Sequence, residues 1–170
     1  MGNQYGFFLD TTKCTGCLGC QVACKNWNNV ETGANWRRVT GTTQGTFPDV
    51  TQKFMSSACM HCGSPACIPV CPRGAITKRT EDGIVVVDRG KCDGCKLCEK
   101  ACPFGAPQFG FDGTMQKCDL CLSRLNDGKS PICVTTCKFN ALQSGMMAAL
   151  TTINGSKLVG GVTSPSMLIK

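Results

Sequence analysis

Sixteen cysteines fall into four groups of four. The first group is Cys14, Cys17, Cys20 and Cys24; the second is Cys59, Cys62, Cys67 and Cys71. The third is Cys92, Cys95, Cys98 and Cys102; the fourth is Cys118, Cys121, Cys133 and Cys137. Groups one and three share the spacing C-x2-C-x2-C-x3-C, and groups two and four share a C-x2-C start and a C-x3-C finish. Thiolates at such spacing are metal ligands. A cube of iron and sulfide takes one thiolate per iron. Three cysteines two residues apart wrap one face of a cube in a tight loop, and the fourth, three residues further on, points away from it.

That run is the one by which bacterial ferredoxins hold [4Fe–4S] clusters, the fourth cysteine ligating the other cluster of a pair. Group one departs from it only in having Lys25 where the run ends in proline. Gly16, Gly19 and Gly94 let the backbone bend round a cube and aim N–H groups at sulfur. Pro72 and Pro103 turn the chain away after their groups. Lys13, Lys91 and Lys117 each precede the first cysteine of a group, as local positive charge or as exposed turn lysines.

Two other uses of cysteine compete. An even count suits a disulfide framework, but that needs an oxidising compartment. The N-terminus MGNQYGFFLD lacks a basic region followed by a long apolar stretch. Arg37-Arg38 is a twin arginine placed internally, with no apolar run after it. Zinc is the second competitor. Group four, C-x2-C-x11-C-x3-C, has zinc-ribbon spacing, whereas contiguous quartets suit cubes better than one tetrahedral ion. The one histidine, His61, reads as a hydrogen-bond or charge neighbour of a cluster, since thiolates already fill the sites.

Composition points the same way. Aromatics make up 6% of the chain, so a conventional core is thin and bound metal is expected to help hold the fold. The formal charge of +7 would suit a nucleic-acid binder. Four cubes, each about −2 with its thiolates, would bring the net charge to about −1, so the basic excess reads as a counterweight to buried anions. No nucleic-acid partner is expected. No nucleophile has a histidine partner beyond His61, so no catalytic site is expected, and the Asn154-Gly155-Ser156 sequon is read as chance.

The elements that must position the thiols form an A-B-A-B repeat. GFFLDTTKC (6–14) aligns without a gap on IVVVDRGKC (84–92), and SPACIPVC (64–71) aligns on SPICVTTC (130–137). Ala75-Ile76 then matches Ala141-Leu142. Each A copy reads as a short apolar strand, a turn and a cysteine-rich loop. Groups two and three are adjacent and make one two-cluster fold; groups one and four close a second that brackets it. Exchange of the fourth cysteine then assigns the ligands. Cluster one takes Cys14, Cys17, Cys20 and Cys137. Cluster two takes Cys24, Cys118, Cys121 and Cys133. Cluster three takes Cys59, Cys62, Cys67 and Cys102. Cluster four takes Cys71, Cys92, Cys95 and Cys98.

The expected architecture is α+β: two interleaved bacterial-ferredoxin-like 2[4Fe–4S] folds formed by internal duplication. Residues 1–25 with 112–145 make the first fold and 58–111 the second. Residues 26–57 are an insertion of loops and weak strands in which Trp27 and Trp36 pack, and 146–170 are an extended tail laid over a partner subunit.

The four-group order, together with QYGFFLDTTKCTGC, HCGSPAC, DGIVVVD, CPFGAPQF and KCDLC, resembles the iron–sulfur subunit of dimethyl sulfoxide reductase and the electron-transfer subunits of related molybdopterin oxidoreductases. The resemblance covers about residues 4 to 142. It implies four [4Fe–4S] clusters with the ligand exchange above, a large catalytic partner holding a molybdenum or tungsten bis-pterin cofactor, and in many relatives a membrane anchor or cytochrome that exchanges electrons with quinone. Lys138 departs from the proline many relatives carry there, and the C-terminal membrane helix of formate dehydrogenase relatives is missing. The complete set of sixteen cysteines argues against a three-iron cluster. The expected role is a non-catalytic electron-transfer subunit. The alternative is the polyferredoxin subunit of a hydrogenase or carbon monoxide dehydrogenase complex. With no signal peptide or membrane span of its own, the chain is expected in the cytoplasm, or at the periplasmic side if exported with a partner.

Overall fold

The computed structural model describes residues 3–170; Met1 and Gly2, the start of the first expected fold, lie outside the described residues. Short strands and short helices alternate. In chain order they are β1 (Tyr5–Leu9), α1 (Gly19–Trp27), β2 (Arg38–Thr46), β3 (Asp49–Ser57), β4 (Ile76–Lys78), β5 (Val85–Val87), α2 (Leu97–Ala101), β6 (Gln108–Phe109), β7 (Met115–Gln116), α3 (Leu122–Asn126), α4 (Ile132–Thr135), β8 (Leu142–Met146), α5 (Met147–Leu150), β9 (Lys157–Leu158) and β10 (Met167–Ile169). The mixture is α+β, and no helix among the described residues is long and apolar enough to cross a membrane.

The two apolar strands of the aligned segments occupy matching places. β1 pairs antiparallel with β8, Leu9 opposite Leu142. β5 pairs antiparallel with β4, Val87 opposite Ile76. After each strand an aspartate N–H donates to the alanine before the partner strand: Asp10 to the Ala141 carbonyl and Asp88 to the Ala75 carbonyl, both at 2.8 Å. The strand preceding group one is thus joined to the strand following group four, and the strand preceding group three to the one following group two.

The loops of groups one and three turn into α1 and α2 through left-handed backbone. Gly16 (φ 68°) and Gly94 (φ 73°) hold this conformation, and so do Leu18 and Lys96 (both φ 61°) at the starts of α1 and α2. For a non-glycine residue it costs about 1–2 kcal/mol, so the loop shape is imposed by what surrounds it.

Apolar side chains from both halves interdigitate with the thiols. Phe7, Leu9, Ile84, Leu120 and Met167 form one buried cluster with Cys59, Cys118 and Cys133, and Ile76, Val85 and Met115 form another with Cys98. Full burial of such side chains contributes about 1.5–3 kcal/mol each.

The insertion is more regular than expected. β2 and β3 form a nine-residue antiparallel ribbon from Arg38↔Ser57 to Thr46↔Asp49. Its outer residues are exposed on both faces, so the ribbon lacks the alternation that would reveal a strand in sequence. Trp36 packs inward and its indole N–H donates to Gln116 Oε1 at 2.8 Å, whereas Trp27 is half exposed beneath the Arg124 guanidinium.

Residues 146–170, read from sequence as an extended tail, lie back along this chain. β10 runs parallel to β1, pairing Phe7 with Met167 and Leu9 with Ile169. The Lys170 N–H donates to the Leu9 carbonyl, and the Gly63 and Ser64 N–H groups donate to the carbonyls of Ser164 and Thr163. The four-stranded sheet β8-β1-β10-β9 therefore joins the N-terminal strand to both ends of the C-terminal segment.

Candidate metal centres

None of the sixteen cysteines is in a disulfide, and three of the expected quartets each line a cavity. Cys14 and Cys17, from the loop before α1, and Cys20, in its first turn, share a cavity with Cys137, which follows α4. Cys59, Cys62 and Cys67 share one with Cys102, after α2. Cys92, Cys95 and Cys98 share one with Cys71. Each is partly open to solvent. The walls are otherwise mainly apolar: Leu9 and Leu142 at the first, Ala106 and Pro107 at the second, Ile76 and Met115 at the third.

The remaining quartet, Cys24, Cys118, Cys121 and Cys133, is wholly buried, where α1 packs against α4. Burial pushes the Cys24 thiol up to about 12, and the neighbouring sulfurs of Cys133 and Cys121 add to the rise. Burial likewise holds Cys118 well above the ordinary thiol value, with Cys24 and Cys133 raising it further. In the second cavity burial raises Cys67 to about 12, and in the third Cys98 to about 11. A ligand must be a thiolate, so loading metal here releases protons.

Backbone amides already point at the sulfurs. The N–H groups of Ala75, Ala106, Met115 and Leu120 donate to Cys71, Cys102, Cys92 and Cys118 Sγ at 3.3–3.5 Å. Among the described residues no three Cys, His, Asp or Glu side chains are placed to hold one metal ion. Each of the three cavities is ringed by four thiols, one for each iron of a cube.

Buried cations test whether an anionic group belongs here. Lys117 is 4% exposed, and its Nζ donates to the Val85 carbonyl and, at 3.0 Å, to that of Cys118. Arg37 is 1% exposed, and its Nε and Nη2 have no hydrogen-bond partner. Neither is among the ion pairs of the described residues. Uncompensated buried charge costs several kcal/mol, and cysteine-bound cubes of about −2 each would supply the missing counter-charge. The residues present fit iron–sulfur clusters.

The three lysines singled out in the sequence divide. Lys13 and Lys91 lie at the surface near Asp10 (3.9 Å) and Asp88 (3.4 Å); only Lys117 is buried among the sulfurs. His61 is fully buried. Its Nδ1 accepts the Val85 N–H at 3.0 Å and its Nε2 is unpartnered. Burial, then Lys117, Lys78 and Arg37, hold it well below its ordinary value, so it is a neutral imidazole carrying its proton on Nε2. Sequence reasoning overlooked Arg37, set aside as half of a twin arginine, and Ser56. No local pattern marks either one; their importance arises from where the fold sets them, Arg37 over Phe7 of β1 and bonded to Ser56 of β3.

Comparison with known proteins agrees with this chemistry. Residues 50–147 match the family model of the 4Fe-4S dicluster domain, and residues 11–27 match that of a 4Fe-4S binding domain. The sequence is 40% identical, over 185 aligned positions, to the B subunit of the anaerobic dimethyl sulfoxide reductase of Escherichia coli (strain K12), and equally to YnfG, a probable anaerobic dimethyl sulfoxide reductase subunit of the same organism. Each alignment covers 100% of this sequence and 90% of the relative. It is 38% identical to the formate dehydrogenase iron-sulfur subunit of Wolinella succinogenes, covering 82% of this sequence and 80% of that one.

Proposed function

Because the chain belongs to the family of iron–sulfur subunits of dimethyl sulfoxide reductase and related molybdoenzymes, we propose that it carries four [4Fe–4S] clusters and relays electrons between a quinone- or cytochrome-linked donor and a catalytic subunit holding a molybdenum or tungsten bis-pterin. When bound, each cube supplies a one-electron redox centre. The chain's own residues hold, insulate and bias these centres.

The observation that carries the reading is the grouping of thiols. Each of three cavities is lined by three cysteines of one sequence group and one cysteine of another, and the fourth quartet is buried together. This supports the ligand sets Cys14, Cys17, Cys20 with Cys137; Cys24 with Cys118, Cys121, Cys133; Cys59, Cys62, Cys67 with Cys102; and Cys71 with Cys92, Cys95, Cys98. Apolar walls exclude water, and the amide N–H groups aimed at Sγ offset thiolate charge and raise potential. The matching registers of β1–β8 and β4–β5 support an origin by internal duplication. Expected partners are the catalytic subunit and a membrane anchor or cytochrome.

The test is direct. Anaerobically prepared protein should be brown and hold about sixteen irons and as many acid-labile sulfides. A colourless protein binding zinc, or one holding half that iron, defeats the four-cluster reading. Co-purification with a molybdopterin protein supports the proposed partner; a nickel protein points to the hydrogenase or carbon monoxide dehydrogenase alternative.

A further inference from the structure

Arg37 stands at the junction of two quartets. Its side chain lies over the Phe7 ring, 4.4 Å from the centroid, and its Nη1 donates to Ser56 Oγ at 3.0 Å. Ser56 Oγ is in turn 3.3 Å from Cys20 Sγ. A hydroxyl that accepts from a guanidinium is left with its own proton free to donate, so Arg37, Ser56 and the Cys20 sulfur form a continuous chain. Nε and Nη2 are buried with nothing to receive them.

The same side chain also lies beside the other quartet. The Phe7 ring beneath the guanidinium packs in one buried cluster with Cys118 and Cys133, and the charge favours the thiolates of Cys24 and Cys118. Cys20 belongs to the first quartet; Cys24, Cys118 and Cys133 belong to the second. The cation–π contact with Phe7 recovers less than burying the ion costs.

We propose that Arg37 is a buried cation shared by the first and second quartets, and that it raises the reduction potentials of both centres together, relative to those of the third and fourth. The inference rests on the four-cluster reading. The sign follows from Coulomb's law: a reduced centre is one unit more negative than an oxidised one, so a fixed positive charge stabilises the reduced form more. Arg37 is a positioning and tuning residue, since it contributes no ligand. Lys117, which lines the cavity of the third quartet, is the buried cation beside that one.

The experiment is a redox titration followed by electron paramagnetic resonance on the full chain in its native complex. Signals are assigned with Cys17→Ser for the first quartet and Cys121→Ser for the second. Arg37→Gln should make reduction of both assigned centres at least tenfold less favourable, a lowering of about 59 mV for a one-electron couple, with a smaller change in the other two. Arg37→Lys should restore both to within threefold, and Ser56→Ala should move the first centre alone. Unchanged potentials in Arg37→Gln, or an equal shift of all four centres, overturn the proposal. If Arg37→Gln does not retain its centres, Arg37→Lys decides: four centres near wild-type potentials support the shared charge, and lost or tenfold-shifted centres refute it. A wild-type protein lacking four one-electron centres defeats the four-cluster reading itself, a result visible before any variant is compared.

Discussion

Replacing Cys137 with serine tests whether distant segments share a centre. Cys14, Cys17 and Cys20 lie within seven consecutive residues at the entry to α1, and Cys137 reaches the same cavity from beyond α4. A cross-link closing a loop of about 100 residues is worth about 4.7 kcal/mol of denatured-chain entropy. The first quartet is not the sole tie, however, because Cys24 and Cys133 join nearly the same segments through the second. With that tie in place, the first closes an additional loop of only about eight residues, worth about 2–3 kcal/mol. Cys137→Ser should therefore lower the iron content from about sixteen to about twelve. It should also lower the unfolding free energy by about 2–3 kcal/mol, and adding Cys133→Ser should cost markedly more than twice that. Iron analysis, paramagnetic resonance and urea unfolding under anaerobic conditions measure these. Cys17→Ser and Cys137→Ser must abolish the same resonance. If they abolish different ones, the exchange of ligands between segments is wrong.

Four further outcomes follow from the packing and charge. Leu9→Ala, at a fully buried position of β1, should cost about 2–5 kcal/mol in urea unfolding. Gly94→Ala forces a side chain into left-handed backbone, with its Cβ 2.5 Å from the Gly113 carbonyl oxygen. A strain of about 1–2 kcal/mol plus that collision should release iron from the fourth quartet first, as seen by timed chelation. Hydrogen bonds from Thr12 lower the Asp10 carboxyl below its ordinary 3.8. Its contribution is complete above that value and is lost as pH falls through the depressed folded value, so Asp10→Asn should be less stable than wild type at pH 7 and equal to it at the acid end. Complete removal of iron and sulfide should abolish the near-ultraviolet circular dichroism that reports fixed side-chain packing, and a metal-free chain that keeps its full signal would contradict metal-dependent folding.

The chemistry was legible in the linear sequence because ligand spacing is local. A C-x2-C-x2-C-x3-C run dictates how its own thiols can wrap a cube, whatever surrounds it. The A-B-A-B alignment did not say which strands pair; in the structure Leu9 and Val87, aligned in sequence, lie opposite Leu142 and Ile76, which are aligned as well. The ribbon of β2 and β3 was harder to foresee, since its exposed Thr- and Gly-rich strands carry no two-residue alternation. The last segment read as an extended tail laid over a partner subunit because the strand it pairs with, β1, lies at the other end of the chain.

Charge placement belonged to the tertiary structure alone. Lys13, Lys91 and Lys117 occupy the same position relative to a cysteine group, yet two lie in solvent and one among buried sulfurs. Arg37 and Arg38 are adjacent, but Arg38 binds the Phe104 and Gly105 carbonyls at the rim while Arg37 is enclosed between quartets. Arg37 lies in the bend before β2 and Arg38 is its first residue, so the change of backbone direction there separates interior from rim in one step. Which face is interior depends on segments far away in the sequence, and no local pattern records it.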